Sequence, residues 1–289
     1  LWLPEAFFGK GGFAKYTMAT SLPDSNVLIG DAAGKINTKI HPQTQLLVAK
    51  GGYGALSSGA DMENVAGPEL PADGLRAPAS VKFKSMGTLK VAKNAIVETD
   101  APSSGSGGSI ALEAGGQLSI LGSLIAPAGK ISATITGGIA GFPFDNKLSL
   151  FLGESSRLLA TGYYAVPPSF DGNRANAKVL NGGTITLDGG DRGVVVAKQG
   201  SLLDVSGVSG QADITGSNGY TRKTLYGSAG DINISSRNAL VLDGDLHGDA
   251  TGTGAGGTLN LNITGSTSID PSNVHPDDAR TLTVTQDKI

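Results

Sequence analysis

The stretch GGSIALEAGGQLSILGSLIAPAGKISATIT, residues 107–136, decides the fold of this chain. Apolar residues alternate with small or polar ones at Ile110, Leu112, Leu118 and Ile120. This period of two is typical of short, half-buried β-strands separated by turns. The phrase then begins again, because the Gly-Lys-Ile at Gly129 repeats the Gly-Ser-Ile at Gly108 after 21 residues. A fixed period of this length predicts a repeating β-coil.

The same opening recurs along the chain, as GGTITLDGG from Gly182, AGDINISS from Ala229 and GGTLNLNIT from Gly256. Composition agrees with a stack of coils, since 44 of 289 residues are glycine, about double the usual share. A narrow coil buries thin rows of Val, Ile and Leu and turns sharply at glycine. The sequence therefore predicts an all-β solenoid over 1–289, built as one continuous element.

Charge and cysteine content exclude several functional classes. With a net charge of −3 and only 16% charged residues, the chain has no basic field to attract nucleic acid or an anionic membrane surface. The absence of cysteine removes disulfides, thiolate catalysis and zinc-thiolate sites. No apolar run approaches the roughly 20 residues that a transmembrane helix needs. Because the chain opens at Leu1 without a signal-peptide pattern, we interpret it as an internal piece of a longer protein.

The amino-terminal segment is rich in aromatic side chains, namely Trp2, Phe7, Phe8, Phe13 and Tyr16. We expect them to cap one flank of the stack. The alternative is an exposed patch that binds a partner or a sugar ring.

Three short apolar segments follow, 27–29, 36–40 and 46–48, and they predict the three strands of one coil. The next segment, 51–78, is rich in Gly, Pro, Ser, Ala and Asp and shows little alternation, which predicts a loop excursion. In the following coil, five apolar side chains are predicted to point inward: Val81, Phe83, Leu89, Val91 and Ile96. The lysines between them are predicted to point outward, which keeps a β surface soluble.

A second excursion is predicted over 137–180, with two short strands embedded in it at LSLFLGESSRLLATG. Its aromatic residues include Tyr163, Tyr164 and Phe170. We interpret these rings as packing the excursion against the coil. The alternative is that they form a recognition surface on the flank, because loops on a rigid scaffold commonly carry binding.

Motifs for catalysis are scarce. The three histidines, His41, His247 and His275, are isolated, and a loop histidine is more often a turn residue than a ligand or base. The chain contains no nucleophile elbow, Walker motif or dinucleotide fingerprint. The glycine-rich GTGAGGT from Gly252 lacks the lysine and the following helix of a phosphate-binding loop. We therefore assign no catalytic, cofactor-binding or metal-binding residue and predict that the protein is not an enzyme.

Carboxylates are the remaining candidates, and seven lie at predicted strand ends or corners: Asp188, Asp204, Asp213, Asp231, Asp243, Asp245 and Asp249. The first pair to consider is Asp204 with Asp231, because 27 residues separate them, close to one coil interval, and stacked carboxylates can act as acid and base. We favour the simpler interpretation that each aspartate hydrogen-bonds the backbone of its own turn. A second hypothesis is that Asp243, Asp245 and Asp249 bind calcium, although neither the EF-hand nor the nonapeptide pattern is matched.

Four phrases in order resemble one known family: FFGKGGFAKYTM at 7–18, LGESSRLLATG at 152–162, TITLDGG at 184–190 and GSLLDVSG at 200–207. They resemble the giant filamentous haemagglutinin-like exoproteins of Gram-negative two-partner secretion. The resemblance implies a right-handed parallel β-helix that a dedicated outer-membrane transporter exports. The amino-terminal secretion signature of these proteins is missing, so the resemblance implies shaft rather than the export-targeting end.

We therefore expect the structural shaft of an extracellular or surface-anchored bacterial adhesin, which projects a binding or effector region and meets a host-cell or matrix glycan. Three alternatives remain. A polysaccharide-cleaving enzyme would need a carboxylate cluster along a groove, and a polysaccharide-binding protein would need aligned aromatic rings. The stick of a contact-dependent toxin-delivery exoprotein would share the same shaft.

Overall fold

A computed structural model describes residues 3–22, 25–49, 66–72, 75–102, 105–137, 148–167, 174–191, 193–217, 219–237 and 239–263. Within these ranges the chain is almost entirely β-structure, and the only helical element is one 3-10 turn at Glu5–Phe7. No helix in the same ranges is long and apolar enough to cross a membrane. The predicted all-β class is confirmed.

The strands in chain order are β1 (Lys15–Ala19), β2 (Val27–Ile29), β3 (Thr38–Ile40), β4 (Leu46–Ala49), β5 (Ala66–Glu69), β6 (Ser80–Ser85), β7 (Leu89–Val91), β8 (Ala95–Glu98), β9 (Ser109–Ala114), β10 (Leu118–Ile120), β11 (Ser123–Ile125), β12 (Lys130–Ile135), β13 (Ser149–Leu152), β14 (Arg157–Leu159), β15 (Tyr163–Ala165), β16 (Lys178–Leu180), β17 (Thr184–Asp188), β18 (Val194–Ala197), β19 (Leu202–Asp204), β20 (Ser209–Gly216), β21 (Gly219–Tyr226), β22 (Asp231–Ser236), β23 (Ala239–Leu242), β24 (Asp245–His247) and β25 (Thr258–Ile263).

Most of these strands belong to three parallel sheets. Sheet 1 has the order β1-β6-β9-β12-β17-β22-β25, sheet 2 the order β2-β7-β10-β13-β18-β23, and sheet 3 the order β3-β8-β11-β14-β19-β24. The chain passes from sheet 1 to sheet 2 to sheet 3, and then returns to sheet 1 beside the strand it left. We call one such passage a row.

The repeated sequence openings coincide with the register of sheet 1. Ser109 lies opposite Lys130, Lys130 opposite Thr184, Thr184 opposite Asp231, and Asp231 opposite Thr258. The four openings after the first therefore start equivalent strands, as the sequence predicted. The 21-residue spacing between Ser109 and Lys130 is the length of a row without an insertion.

The core is a set of apolar columns between the three sheets. Because successive side chains in a strand point to opposite faces, β9 and β17 alternate buried and half-exposed residues. Ile110, Ile131 and Ile185 lie in register in adjacent strands and are 0%, 1% and 0% exposed. Burial of each such side chain contributes about 1.5–3 kcal/mol.

The outward columns of sheet 1 are polar. The Lys82 ammonium contacts the Glu113 carboxylate of the next row. Further along, Asn260 Nδ2 donates a hydrogen bond to Asn233 Oδ1 at 2.8 Å. Cross-strand pairs of this kind stabilise neighbouring strands modestly, so they reinforce the register that the apolar columns set.

The amino-terminal aromatics divide into buried and exposed rings. Phe8 is 2% exposed, its ring centroid lies 6.2 Å from that of Phe83, and its carbonyl accepts a hydrogen bond from the Tyr16 hydroxyl at 2.8 Å. These contacts support the predicted cap for Phe8 and Tyr16. Phe7 and Phe13 are 44% and 62% exposed, and Trp2 lies outside the described residues.

Two predictions about the first rows are wrong. The segment 46–48 does not complete the first row, because β4 pairs antiparallel with β5, and the sheet 1 position is taken by β1. Ile96 is half-exposed, whereas Ala95 and Val97 on either side of it are buried. Ala95 packs closely on Gly30 of the preceding row, where an added Cβ would lie only 2.8 Å from the Ala95 Cβ.

The predicted excursions overlap hairpins that lie between a sheet 3 strand and the next sheet 1 strand. Most of 51–78 lies outside the described residues, and its described part includes β5. Within 137–180, β13 and β14 join sheets 2 and 3, so the part that leaves the sheets in the described residues is the hairpin of β15 and β16. The sequence predicts two strands in this segment, and the structure assigns them, as β13 and β14, to the main sheets.

The inward assignment predicts a large difference between neighbouring substitutions. Ile185→Ala is expected to lower the free energy of unfolding by about 2–5 kcal/mol, because it opens a cavity between rows. Thr186→Ala, on the outward face of the same strand, is expected to cost less than about 1 kcal/mol. Denaturant unfolding followed by far-ultraviolet circular dichroism measures both. Equal losses would contradict the assignment.

Candidate functional site

The most elaborate departure from the three sheets is a pair of hairpins, β15 with β16 and β20 with β21, which we call the hairpin flank. Both pairs are antiparallel. Each is inserted at the same point of a row, between a sheet 3 strand and the next sheet 1 strand. The hairpin of β4 and β5 is inserted at the equivalent point of the first row. One corner of the fold therefore carries all three hairpins of the described residues.

Backbone hydrogen bonds join the two hairpins of the flank. The Asp213 N–H donates to the Ala175 carbonyl at 2.9 Å, and the Ala175 N–H donates to Asp213 Oδ2 at 2.8 Å. The segment preceding β16 thus lies along one edge of β20. The two insertions form a common surface rather than separate loops.

A buried carboxylate anchors this surface. Arg222 donates from Nε and Nη2 to the two oxygens of Asp213, both at 2.9 Å, in the bidentate geometry of strong charge-assisted pairs. The Asp213 side chain is 9% exposed and the Arg222 side chain 55%. The Arg222 hydrogen bonds, followed by the one from the Ala175 N–H, lower the pKa of Asp213 to about 2.

Aromatic side chains shape both faces of the flank. The Arg174 guanidinium lies 4.0 Å from the centroid of the Tyr220 ring and donates from Nη1 to its hydroxyl at 3.1 Å. Tyr220 and Tyr226 remain 48% and 45% exposed. Tyr226 rests against Gly252, where an added Cβ would overlap its ring. The glycine-rich segment from Gly252 therefore supports an aromatic ring.

Tyr163 and Tyr164, interpreted from the sequence as packing the excursion against the coil, lie in β15. Tyr163 and Tyr164 are half-buried. The Tyr164 ring covers Gly210, where a side chain would overlap it, and its hydroxyl donates to the Gln211 carbonyl at 2.5 Å. These contacts support the interpretation that Tyr164 packs the excursion down. Phe170 lies outside the described residues.

The flank is basic on an acidic protein. Its described strands and the adjoining 174–177 segment contain Arg174, Lys178, Arg222 and Lys223 against a single acid, Asp213. Because Asp213 is paired with Arg222, Lys178 and Lys223 leave the described strands of the flank with an excess of positive charge. Such a local field attracts anionic groups even when the net charge of the protein is negative.

The other sequence-predicted carboxylates behave mostly as turn residues. Asp204 Oδ1 accepts from the Ser206 N–H at 2.8 Å, and Asp188 Oδ1 accepts from the Gly190 N–H at 2.9 Å. The predicted stacking of Asp204 over Asp231 is wrong. Asp204 lies opposite His247 in sheet 3, whereas Asp231 lies opposite Thr184 in sheet 1.

A shallow groove of about 440 Å³ runs along the carboxyl ends of the sheet 1 strands, where Asp188 and Asp191 lie. Asp188 Oδ1 also accepts from the Ser235 hydroxyl at 3.0 Å, and Asp191 pairs with Arg237 at 3.0 Å. These carboxylates therefore already have partners within the groove.

The calcium hypothesis gains no geometric support. In the described residues, which include Asp243, Asp245 and Asp249, no group of three or more His, Asp or Glu side chains is close enough to hold a metal ion. Asp245 starts β24, and Asp249 lies 3.8 Å from the half-exposed His247 ring. His275 lies outside the described residues.

Sequence reasoning missed one buried polar cluster. The Asp100 side chain, 5% exposed, accepts from His41 Nε2 at 3.0 Å and from Arg76 Nη1 at 3.2 Å. Burial alone would raise the pKa of Asp100, but the hydrogen bonds and charges of His41 and Arg76 outweigh it and hold the pKa below its ordinary value. Asp100 Oδ2 and the neighbouring Thr99 Oγ1 have no hydrogen-bond partner in the described part of the chain. The cluster ties three loops together where the β4 and β5 hairpin returns to the sheets.

The second hairpin of the flank, β20 with β21, was also missed, although two features of the sequence indicate it. The openings at Gly182 and Ala229 lie 47 residues apart, more than twice the uninterrupted row of 21. Ser217, Asn218 and Gly219 stand between two alternating segments, and Asn-Gly is a strong hairpin signal. Row length is therefore the better indicator of an insertion than composition.

Comparison of the chain with protein-family models, with curated proteins and with solved structures finds no match. The proposed function therefore rests on the geometry of this chain.

The depressed pKa of Asp213 predicts acid sensitivity confined to the flank. A carboxyl group whose pKa is lower in the folded state stabilises that state above its unfolded pKa, and this contribution is lost as pH falls through the folded pKa. The flank should therefore loosen between about pH 4 and pH 2. The Ala175 amide, which donates to Asp213, should titrate in NMR spectra with an apparent pKa of about 2.

Asp213→Asn is the matched control, because it keeps the shape of the side chain and removes the titration. Its Ala175 amide signal should stay constant over this pH range. Titration of the wild-type signal near the ordinary aspartate pKa would mean that the Arg222 pair does not form in solution.

Proposed function

We propose that this chain is a segment of a right-handed parallel β-helix that serves as the structural shaft of a secreted or surface-anchored bacterial adhesin. The observation that carries the proposal is the row-by-row register of the three parallel sheets. Every row from β6 to β24 adds one strand to each sheet, and the inward columns are mostly apolar, with the buried Ser85 and Ser236 as exceptions. Each added row therefore makes the stack longer without making it wider.

The dimensions suit a spacer. Neighbouring strands in a sheet lie about 4.8 Å apart, so the seven strands of sheet 1 extend about 29 Å along the stacking direction. Continuous hydrogen-bonded ladders resist bending, and a longer parent protein would continue the same ladders. The chain is then a rigid element that holds a binding or effector region away from the cell.

The partners and location in this proposal come from the resemblance to filamentous haemagglutinin-like exoproteins. They are an outer-membrane two-partner-secretion transporter for the parent protein and the extracellular surface of a Gram-negative cell. The hairpin flank is proposed as a lateral contact surface of the shaft, because it departs from the plain rows and exposes Tyr220 and Tyr226.

The rival functions have weaker support. A polysaccharide-cleaving enzyme requires paired carboxylates, and Asp204 and Asp231 lie in different sheets. A polysaccharide-binding protein requires aligned aromatic rings, and the Arg174 guanidinium stacks at 4.0 Å on one face of Tyr220, one of the exposed rings of the flank. A toxin-delivery stick would share this shaft and differ only in the region that it carries.

Removal of one whole row tests the shaft role. Deletion of residues 109–129 joins Gly108 to Lys130, and Lys130 already occupies the register of Ser109. We expect the shortened chain to fold with a similar far-ultraviolet spectrum and to lose about 4.8 Å of length in small-angle scattering. In the full-length parent displayed on cells, adhesion should persist, because a spacer tolerates the loss of one unit.

A deletion of residues 109–128 is the matched control. The deleted segment is one residue shorter than in the first variant. The strand that follows it is therefore shifted by one residue, and the apolar face of that strand turns outward. This variant should fail to fold or to reach the surface. Loss of adhesion by a folded and displayed 109–129 deletion would contradict a spacer role.

A further inference from the structure

Within the described residues, the hairpin flank has one strand edge without a partner. Among the described residues, β21 pairs only with β20. Asp213 of β20 lies opposite Arg222, yet its N–H donates to Ala175 on the other side. In an antiparallel pair, such opposed residues direct their backbone groups away from each other.

The outward groups of β21 follow from this register. Because every second residue is equivalent, the N–H and C=O groups of Tyr220, Arg222 and Thr224 face away from β20. The Gly227 N–H donates to Val208 at 2.8 Å, which confirms that the odd-numbered residues face β20. None of the three outward residues has a backbone partner in the described part of the chain.

The side chains beside this edge are exposed, and two of them, Arg222 and Lys223, are charged. Along β21, only Leu225 is even half-buried. Natural sheet edges are protected by short length, bulges, proline or charged side chains; this one is eight residues long without proline, and its Arg222 and Lys223 disfavour an uncharged or basic strand rather than an acidic one. An edge of this length provides a template for one further strand.

We propose that the outer edge of β21 binds an extended acidic peptide segment of a partner protein as an additional β-strand. The proposal rests on the role of the hairpin flank as a contact surface, but not on the spacer role of the rows. Backbone hydrogen bonds to Tyr220, Arg222 and Thr224 would supply affinity, and the charges beside them would select the sequence.

Charge favours an acidic segment over other occupants. Lys223 is exposed at the middle of β21, and Lys178 of the same basic flank is also exposed. Glutamate or aspartate in the added strand would lie beside Lys223. A second copy of this chain is disfavoured, since antiparallel pairing of two β21 edges about their centre would place Lys223 against Lys223.

The test uses synthetic peptides of about nine residues and the whole chain. In one fluorescent peptide valine alternates with glutamate, and in the other valine alternates with lysine. Fluorescence anisotropy should show the glutamate peptide binding at least about tenfold more tightly than the lysine peptide, with affinity falling as salt is added. Lys223→Glu should weaken the glutamate peptide about fivefold or more.

Thr224→Pro tests the backbone edge itself. Proline removes the outward N–H of Thr224, which β20 does not use, and edge positions tolerate proline. Binding should fall at least about tenfold, whereas Thr224→Val, which keeps the N–H, should bind within about threefold of wild type. If Thr224→Pro does not fold, a glutamate peptide methylated at alternate backbone nitrogens replaces it, and this peptide should not bind.

Four results would overturn the proposal. The first is that the glutamate peptide does not bind, and the second is that binding survives Thr224→Pro or backbone methylation. The third is that heparin displaces the peptide and that heparin binding itself is unchanged by Thr224→Pro. The fourth is self-association of the chain, measured by sedimentation, that Thr224→Pro abolishes. Each result leaves the row-deletion experiment unaffected, so the spacer role can stand or fail separately.

Discussion

The in-register stacking of one apolar column is the constraint on which the rest of the structure depends. In sheet 1 the column runs through Val81, Ile110, Ile131, Ile185, Ile232 and Leu259. Because side chains alternate between faces, a slip of one residue in any row would turn its apolar face to solvent and its polar face inward. Each row is therefore held by both neighbours, and the turns and insertions must return the chain to the same register.

The rows without insertions were predictable because their signals are local. Alternation and glycine spacing in 107–136 predicted both the strands and the residues that face inward. Ile96 was misassigned because the choice there depends on Gly30, a residue in another row. β1, the hairpin of β20 and β21, and the Asp100 cluster depend on partners far away in sequence, such as His41, 59 residues from Asp100.

Insertion at one corner explains how a repetitive fold can carry a distinct surface. The turn after a sheet 3 strand accepts whole hairpins, since the chain needs only to return to the next sheet 1 strand in register. Two such hairpins in consecutive rows lie close enough for Ala175 to bond Asp213. The rows thereby place Arg222, Tyr220 and the outer edge of β21 on a rigid support, which is the arrangement that recognition favours.

A distance between two distant points in one outward column tests the stacking most directly. The chain has no cysteine, so spin labels can be attached only at Lys82→Cys and Asn260→Cys. These positions are connected by five strand-to-strand steps, which predicts a narrow distance distribution centred near about 24 Å by electron-electron double resonance. A broad distribution, or one centred beyond about 40 Å towards the range of a flexible chain, would contradict the stacked rows.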